Sequence, residues 1–457
     1  MYSNISQMSF EISQKQRNFL AQVDQVCRSI RDNEEKSYLQ EKLNDKVIPE
    51  FGRIGMLGCP ISKKYGGLGY DILTYALALE RIGREGHSLR TFFSAHISIG
   101  QMVLQSWANE EQKKHYLPMT TSGKSIMGFA LTEPAAGSDP SSMQTKFEEK
   151  GGNYVLNGKK HWVGNGTFAK VITTFAKDSD GKISAFIVDT DSPGFKTKEM
   201  KNKMGLLTVK NAEITLQDCI VPKRNLLGQK GQGLSIAFST LIDGRLSVAA
   251  GAIGVMEDCL AESISYSKKR HQHGGPLAKK QLIQEHIAHM VTNIESSRWL
   301  VYKTCNARQK LHDYVEKFKQ KTAQWQQKLN RHNKQYSQLR KEADNFTSIA
   351  KFHASNCAFD SANRAVQIFG AEGYKKTSRV ARHFLDSRAI IIYEGANEVL
   401  KLKIGHNQLG DQYRAYKCER ESPNHLVQGK QAHHSSTSNP TKILNRHIAT
   451  SEKYGII

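Results

Sequence analysis

The chain has no CxxC pair, no histidine cluster at metal-ligand spacing and no glycine fingerprint of the Walker or Rossmann type. Its seven cysteines, at 27, 59, 219, 259, 305, 357 and 418, are an odd and scattered set. That excludes a complete disulfide framework and favours a reducing compartment, and no metal site is expected. Zinc-finger, RRM and KH patterns are missing too, so the net charge of +22 carries no nucleic-acid signature. The N-terminus shows no charged stretch leading into an apolar one, and no run of bilayer length stands out. Cytoplasmic is the default expectation.

What is present is enough for a large core: 457 residues, 39% of them hydrophobic. Lys and Arg number 65 against 43 Asp and Glu. A surface of that sign would draw phosphate-bearing ligands or an acidic partner protein.

The hydrophobic period changes twice along the chain. Residues 9–122 read as helices, with apolar residues at helical spacing from Phe19 to Val26 and from Ile72 to Ile82. Residues 123–233 read as strands and turns. Tyr154-Val-Leu-Asn157-Gly158 predicts a strand ending in an Asn-Gly hairpin turn. Residues 234–406 return to helix, and Leu246–Val255 is rich in small residues suited to close helix packing. Within this part, 308–345 holds ten Lys or Arg against four Asp or Glu. Its apolar residues are few: Val315, Phe318, Trp325, Leu329 and Leu339. It reads as a solvated helical hairpin extending two bundle helices, with a docking surface for an acidic partner as the sharper alternative. Residues 407–457 are polar and without period, and are expected to be a disordered tail.

One stretch organises the rest: Gly128-Phe129-Ala-Leu131-Thr132-Glu133-Pro134-Ala-Ala-Gly137-Ser138-Asp139. An apolar strand runs into a turn of Pro, Gly and Ser, which lets backbone approach a ligand closely. The stretch resembles the "TEP-x-x-GSD" loop of acyl-CoA dehydrogenases. Tyr65-Gly-Gly-Leu-Gly69, Trp107–Pro118 and Tyr393-Glu394-Gly395-Ala396 resemble further segments of that family, and the likeness covers about 15–406. It implies a helical domain, a middle β-barrel or sandwich domain and a four-helix bundle. It also implies FAD, an acyl-CoA substrate, electron-transferring flavoprotein or another acceptor, and a homotetramer built as a dimer of dimers.

Oxidising a thioester across Cα–Cβ needs a base, a hydride acceptor and support for the enolate-like oxygen. No side chain accepts hydride, so a flavin is implied. By the resemblance Glu394 is the base, and Gly395 and the Glu394 backbone lie at the thioester. Relatives that place the base before the bundle arginine would put it at Gly244, which cannot serve. Phe129, Leu131, Thr132, Gly137, Ser138, Trp162, Val163, Gly164, Ala396 and Glu398 fall at flavin-contacting positions. Arg270, His273, Gln281, Gln367, Phe369 and Gly370 would grip the adenosine diphosphate part across a subunit interface. Arg245 and Ser138 fall near CoA.

Gly137-Ser-Asp-Pro-Ser-Ser-Met143 and Pro276–Gln284 resemble glutaryl-CoA dehydrogenases in particular. There Arg90 and Ser94 fall beside the distal carboxylate, and an Arg fork suits that group. The chain departs from the pattern at Gly164, where a flavin-bonding Thr or Ser is usual, and at Ala396, His273 and Ala371. Two alternatives therefore stand beside a short acyl-CoA dehydrogenase. One is a dehydrogenase of carrier-bound acyl groups; the other is a catalytically weak flavin- or acyl-CoA-binding homologue.

Overall fold

The computed structural model describes residues 10–321 and 333–410. Most of the expected tail, from 411 on, lies outside the described residues, as do Trp325 and Leu329 of the basic segment.

The N-terminal helices follow the predicted stripes. Helix α1 (Gln14–Leu39) starts at a capping box of Ser13 and Gln16, and it buries Phe19, Leu20, Val23, Val26, Cys27 and Ile30 on one face. Asp71 caps α3 (Ile72–Gly83), which follows the short α2 (Val47–Arg53). Helix α4 (His87–Phe93) runs without a break into a π-helical stretch, Ser94–Gln101, and then α5 (Met102–Trp107). Such widened turns recur at functional sites. Asn109 caps α6 (Glu110–Thr121).

The middle segment is one eight-stranded mixed sheet. Its strands are β1 (Met127–Ala130), β2 (Lys146–Lys150), β3 (Asn153–Val163), β4 (Val171–Lys177), β5 (Ile183–Asp189), β6 (Phe195–Glu199), β7 (Ala212–Pro222) and β8 (Leu226–Leu227). Strand β5 shows why β4 and β5 read as continuous apolar runs. Phe186 and Val188 enter the sheet's own core with Ile172, Ile214 and Leu216, whereas Ile183, Ala185 and Ile187 pack towards the helices. Both faces are covered, so alternation disappears.

The predicted Asn-Gly hairpin is not there. Strand β3 runs straight through Asn157 and Gly158 with a register shift against β7. Asn157 instead pairs its amide with Asp218, donating from Nδ2 at 3.1 Å and accepting the Asp218 N–H at 2.8 Å. The hairpin lies one turn earlier, at Gly151-Gly152, with φ of 58° and 78° joining β2 to β3. Both central residues must be left-handed in that turn, a demand glycine meets most easily.

The C-terminal segment contains α7 (Gly233–Lys269), α8 (Gln281–Lys321), α9 (Lys334–Phe369), α10 (Arg379–Ile390) and α11 (Asn397–Leu409). Helix α7 corrects one expectation: it is long and apolar enough to cross a membrane by length and composition. Yet 83% of that apolar window is buried inside the protein, as in a core helix. Its small residues admit α3 to backbone contact. A Cβ on Gly254 would stand 1.9 Å from the Glu80 carbonyl oxygen. The basic segment extends α8 and α9, and its base has a small core of Ile242, Leu311, Tyr336 and Ala343, joined by Val315, Phe318 and Leu339.

Candidate active site

The loop between α10 and α11 carries Glu394 in a left-handed conformation, φ 56°. For a residue with a Cβ this is a strained choice, held only if the surroundings insist on it. Lys351 on α9 supplies much of that insistence. Its ammonium, fully buried, donates to the carbonyls of Gly395 (2.8 Å) and Ile391 (3.4 Å) and to Asn397 Oδ1 (2.9 Å). Arg245 Nε donates to the Glu394 carbonyl at 3.2 Å, and its Nη1 is anchored on Asp344 at 2.9 Å.

The Glu394 carboxylate is pressed against α7. A Cβ at Gly244 would lie 2.3 Å from Oε2 and 2.7 Å from Oε1. The two positions where a base is expected in relatives therefore converge on one spot, and the glycine leaves it to Glu394. Oε2 is buried without a hydrogen-bond partner. Burial raises the carboxyl to about 7, against the opposing pull of Arg245, Arg90 and Lys351.

Arg90 and Ser94 lie on one face, on α4 and the start of the π-helical stretch. Arg90 is fully buried; Nη2 donates to the Tyr393 hydroxyl, while Nε and Nη1 have no partner. Ser94 Oγ is likewise buried and unpartnered. Gly251 makes the room, since a Cβ there would stand 2.6 Å from Arg90 Cγ.

Trp162 is 55% exposed and left-handed, φ 58°, at the end of β3. Its neighbour Val163 is buried, and His161 N–H reaches the Thr132 carbonyl at 2.8 Å, which sets Leu131 and Thr132 beside β3. Gly137 and Ser138 are exposed on the following loop. Gly164 faces α4's extension: a Cβ would meet Ala95 Cβ at 3.1 Å. The ring of Phe129, by contrast, points into the core against Phe175, centroids 5.0 Å apart. Ala396 is the N-cap of α11, and Glu398 is exposed in its first turn.

The remaining predicted residues are not brought here. Arg270 ends α7, 26 positions beyond Gly244 or about 39 Å along the helix axis. At that far end His273 is left-handed (φ 48°), Gln281 begins α8, and Gln367 and Gly370 are exposed. Phe369 stacks on Tyr266 at 4.2 Å. Within one chain the two sets are separate.

Sequence reasoning missed the residues that hold the site. Lys351 sits on an inward stripe of α9 with Thr347, Ala350, Ala354, Ser355 and Ala358, and a lysine among small buried residues was the available signal. Lys160, also fully buried, pairs with Glu133 at 2.8 Å. Glu133 in turn accepts the backbone N–H groups of Gln144 and Thr145, locking the loop that carries Thr132 and Ser138. Burial opposes ionisation of Glu133, but Lys160 and these donors win and hold it below its ordinary range. Asn165 Nδ2 ties the Phe92 and Met127 carbonyls together, at 3.2 and 3.3 Å.

Comparison with known proteins agrees with this architecture. Residues 13–124 match the family model for the acyl-CoA dehydrogenase N-terminal domain, 128–219 the middle domain and 231–409 the C-terminal domain. An acyl-CoA dehydrogenase of Bacillus subtilis is 36% identical over 369 residues, covering 80% of this chain and 90% of its own. A solved prolyl acyl carrier protein oxidase is 31% identical with a TM-score of 0.77, covering 88% of this chain and all of its own. A glutaryl-coenzyme A dehydrogenase in complex with glutaryl-CoA is similar as well (28%, TM-score 0.79, 90% and 99% covered). With all three domains matched in order, this chain belongs to the acyl-CoA dehydrogenase family, the FAD-dependent oxidoreductases that act on CH–CH bonds.

Proposed function

We propose that this chain oxidises a short acyl-CoA thioester across Cα–Cβ, with Glu394 as the base. The observation that carries the reading is the Glu394 carboxylate, buried, unpartnered at Oε2 and poised near neutrality. A base is most useful when its pKa lies near the working pH. Glu394 takes the α-proton on a carboxylate oxygen. Its backbone N–H helps hold the thioester carbonyl, while Arg245 and Lys351 keep the loop in place. Arg245 and Ser138 line the path of CoA.

The residues present fit a flavin. The exposed indole of Trp162, the partly exposed Leu131–Thr132 segment beside β3 and Gly164, which carries no side chain, would take a planar ring against them. Bound FAD would accept the β-hydrogen as hydride. The adenosine diphosphate part would be held by Arg270, Gln281, Gln367, Phe369 and Gly370 of a second copy, because one chain keeps those residues far from Glu394. A homotetramer and electron transfer to an electron-transferring flavoprotein complete the proposal.

Arg90 and Ser94 support an acyl group ending in a carboxylate, of the glutaryl type. Loss of that carboxylate as CO2 would follow oxidation. A second reading, a carrier-bound acyl group, is favoured by the exposed Lys310 and Lys317 of α8 and Lys334 and Lys341 of α9, the helix whose Asp344 anchors Arg245. The likeness to the prolyl acyl carrier protein oxidase points the same way.

The test is an anaerobic visible titration of the FAD-loaded protein with glutaryl-CoA and then butyryl-CoA. Bleaching of the oxidised flavin bands, lost in Glu394→Gln, is the expected result. An FAD-loaded protein that neither ester bleaches, but a carrier-bound thioester does, would replace the CoA reading with the second one.

A further inference from the structure

On α4, its π-helical extension and the stretch of α7 that packs against them, several buried polar atoms have no protein partner. Besides Arg90 Nε and Nη1 and Ser94 Oγ, they include Ser247 Oγ and both ring nitrogens of His87. Buried polar groups in native proteins are almost always paired, with protein, water or ligand. A line of unpaired ones marks a place where something else supplies the partner.

Their placement is regular. His87, Arg90 and Ser94 follow one another at spacings of three and four and share one face of α4 and its extension. Helix α7 answers with Gly244, Ser247 and Gly251, at the same spacings. Helix α7 packs along α4 and its π-helical extension, with Gly251 against Arg90, and about 10 Å along the same helix Gly244 meets the Glu394 carboxylate. At one end stands a carboxylate fit to take a proton. At the other stands a buried guanidinium whose free N–H groups call for an anion. His87 is completely buried, and burial together with the Arg90 charge keeps its imidazole neutral. A neutral ring has one N–H to donate and no charge to bury.

We propose that His87 is a specificity-determining residue that, with Arg90 and Ser94, grips the distal carboxylate of the acyl chain. This rests on the thioester reading of Glu394 above. Arg90 supplies charge and two donors, and His87 supplies a further N–H. A plain alkyl end would leave every one of these groups unpaired, so the pocket selects against it as well as for the acid.

The experiment compares binding of two non-oxidisable thioether analogues, one of glutaryl-CoA and one of butyryl-CoA. It uses calorimetry on FAD-loaded wild type, His87→Leu and His87→Gln. The expected result is a roughly tenfold fall in the glutaryl-to-butyryl affinity ratio in His87→Leu, with most of it recovered in His87→Gln, which keeps an N–H donor. Where the Leu variant does not fold, His87→Asn, too short to reach, carries the same expectation. A ratio unchanged in these variants, or both analogues weakened alike, overturns the assignment while leaving the thioester reading intact. Wild type that prefers the butyryl analogue overturns the carboxylate pocket. Wild type that binds neither analogue removes the CoA-thioester reading on which the assignment rests.

Discussion

Two buried lysine–glutamate sets in this molecule come to opposite ends. In the β-domain, Lys160 donates to Glu133 directly at 2.8 Å, and two backbone N–H groups complete the carboxylate's shell. In the helical part, Lys351 directs its donors to the carbonyls of Ile391 and Gly395 and to Asn397, so the nearby Glu394 Oε2 receives nothing. Burial disfavours the charged form of all four groups, most of all that of Glu394 among the two carboxyls. What also differs is where the ammonium hydrogens go. The satisfied carboxylate is held below its ordinary range, and the deprived one is raised to about 7. One set locks a loop; the other leaves a carboxyl near neutrality while still fixing its backbone.

The comparison breaks first at Glu394. Glu394→Gln keeps the shape and removes the basicity, so acyl-CoA-dependent flavin bleaching should slow by roughly a thousandfold or more. Thermal stability should hardly move, since no hydrogen bond to Oε2 is lost. In wild type, kcat/KM should rise with pH through about 7, because the carboxyl is protonated and idle below that value. A flat pH profile across that range would refute the base assignment.

Next comes Lys160→Met, which strands Glu133 in the interior. Removing one member of a buried pair costs about 3–5 kcal/mol, and denaturant unfolding should show it. A loss below about 1 kcal/mol would mean that the pair is not what locks the loop. Lys351→Met should act differently. Burial holds Lys351 itself down to about 7, and of the three cations acting on Glu394 it acts least, so the pH profile should move only slightly to higher pH while kcat falls as the loop loosens. An unchanged kcat would reduce Lys351 to packing alone. The smallest effect belongs to Gly164→Ser. Its Cβ meets Ala95 at 3.1 Å, so the neighbour must yield, at roughly 1 kcal/mol read as a denaturation midpoint.

The order of helix, strand and helix was legible because period is local: the α1 stripe and the small-residue run of α7 say so within a few turns. Glu394, Arg90 and Arg245 were singled out through resemblance, and chemistry alone gave only the need for a base. The Asn157-Gly158 pair misleads because its deciding partner, Asp218, lies 61 positions away. A turn propensity yields to a cross-strand amide pairing that the local sequence does not display.

The sequence by itself thus determined the secondary-structure order, the family motifs and the kinds of residue available for acid–base chemistry. Only the tertiary structure decided which carboxylate is satisfied and which is left bare. It also decided that Gly244 and Glu394 meet, and that His87 shares an unpaired polar wall with Arg90. Those outcomes depend on distance, burial and the direction of single N–H bonds, and these quantities exist only once α4, α7, α9 and the Glu394 loop have packed together.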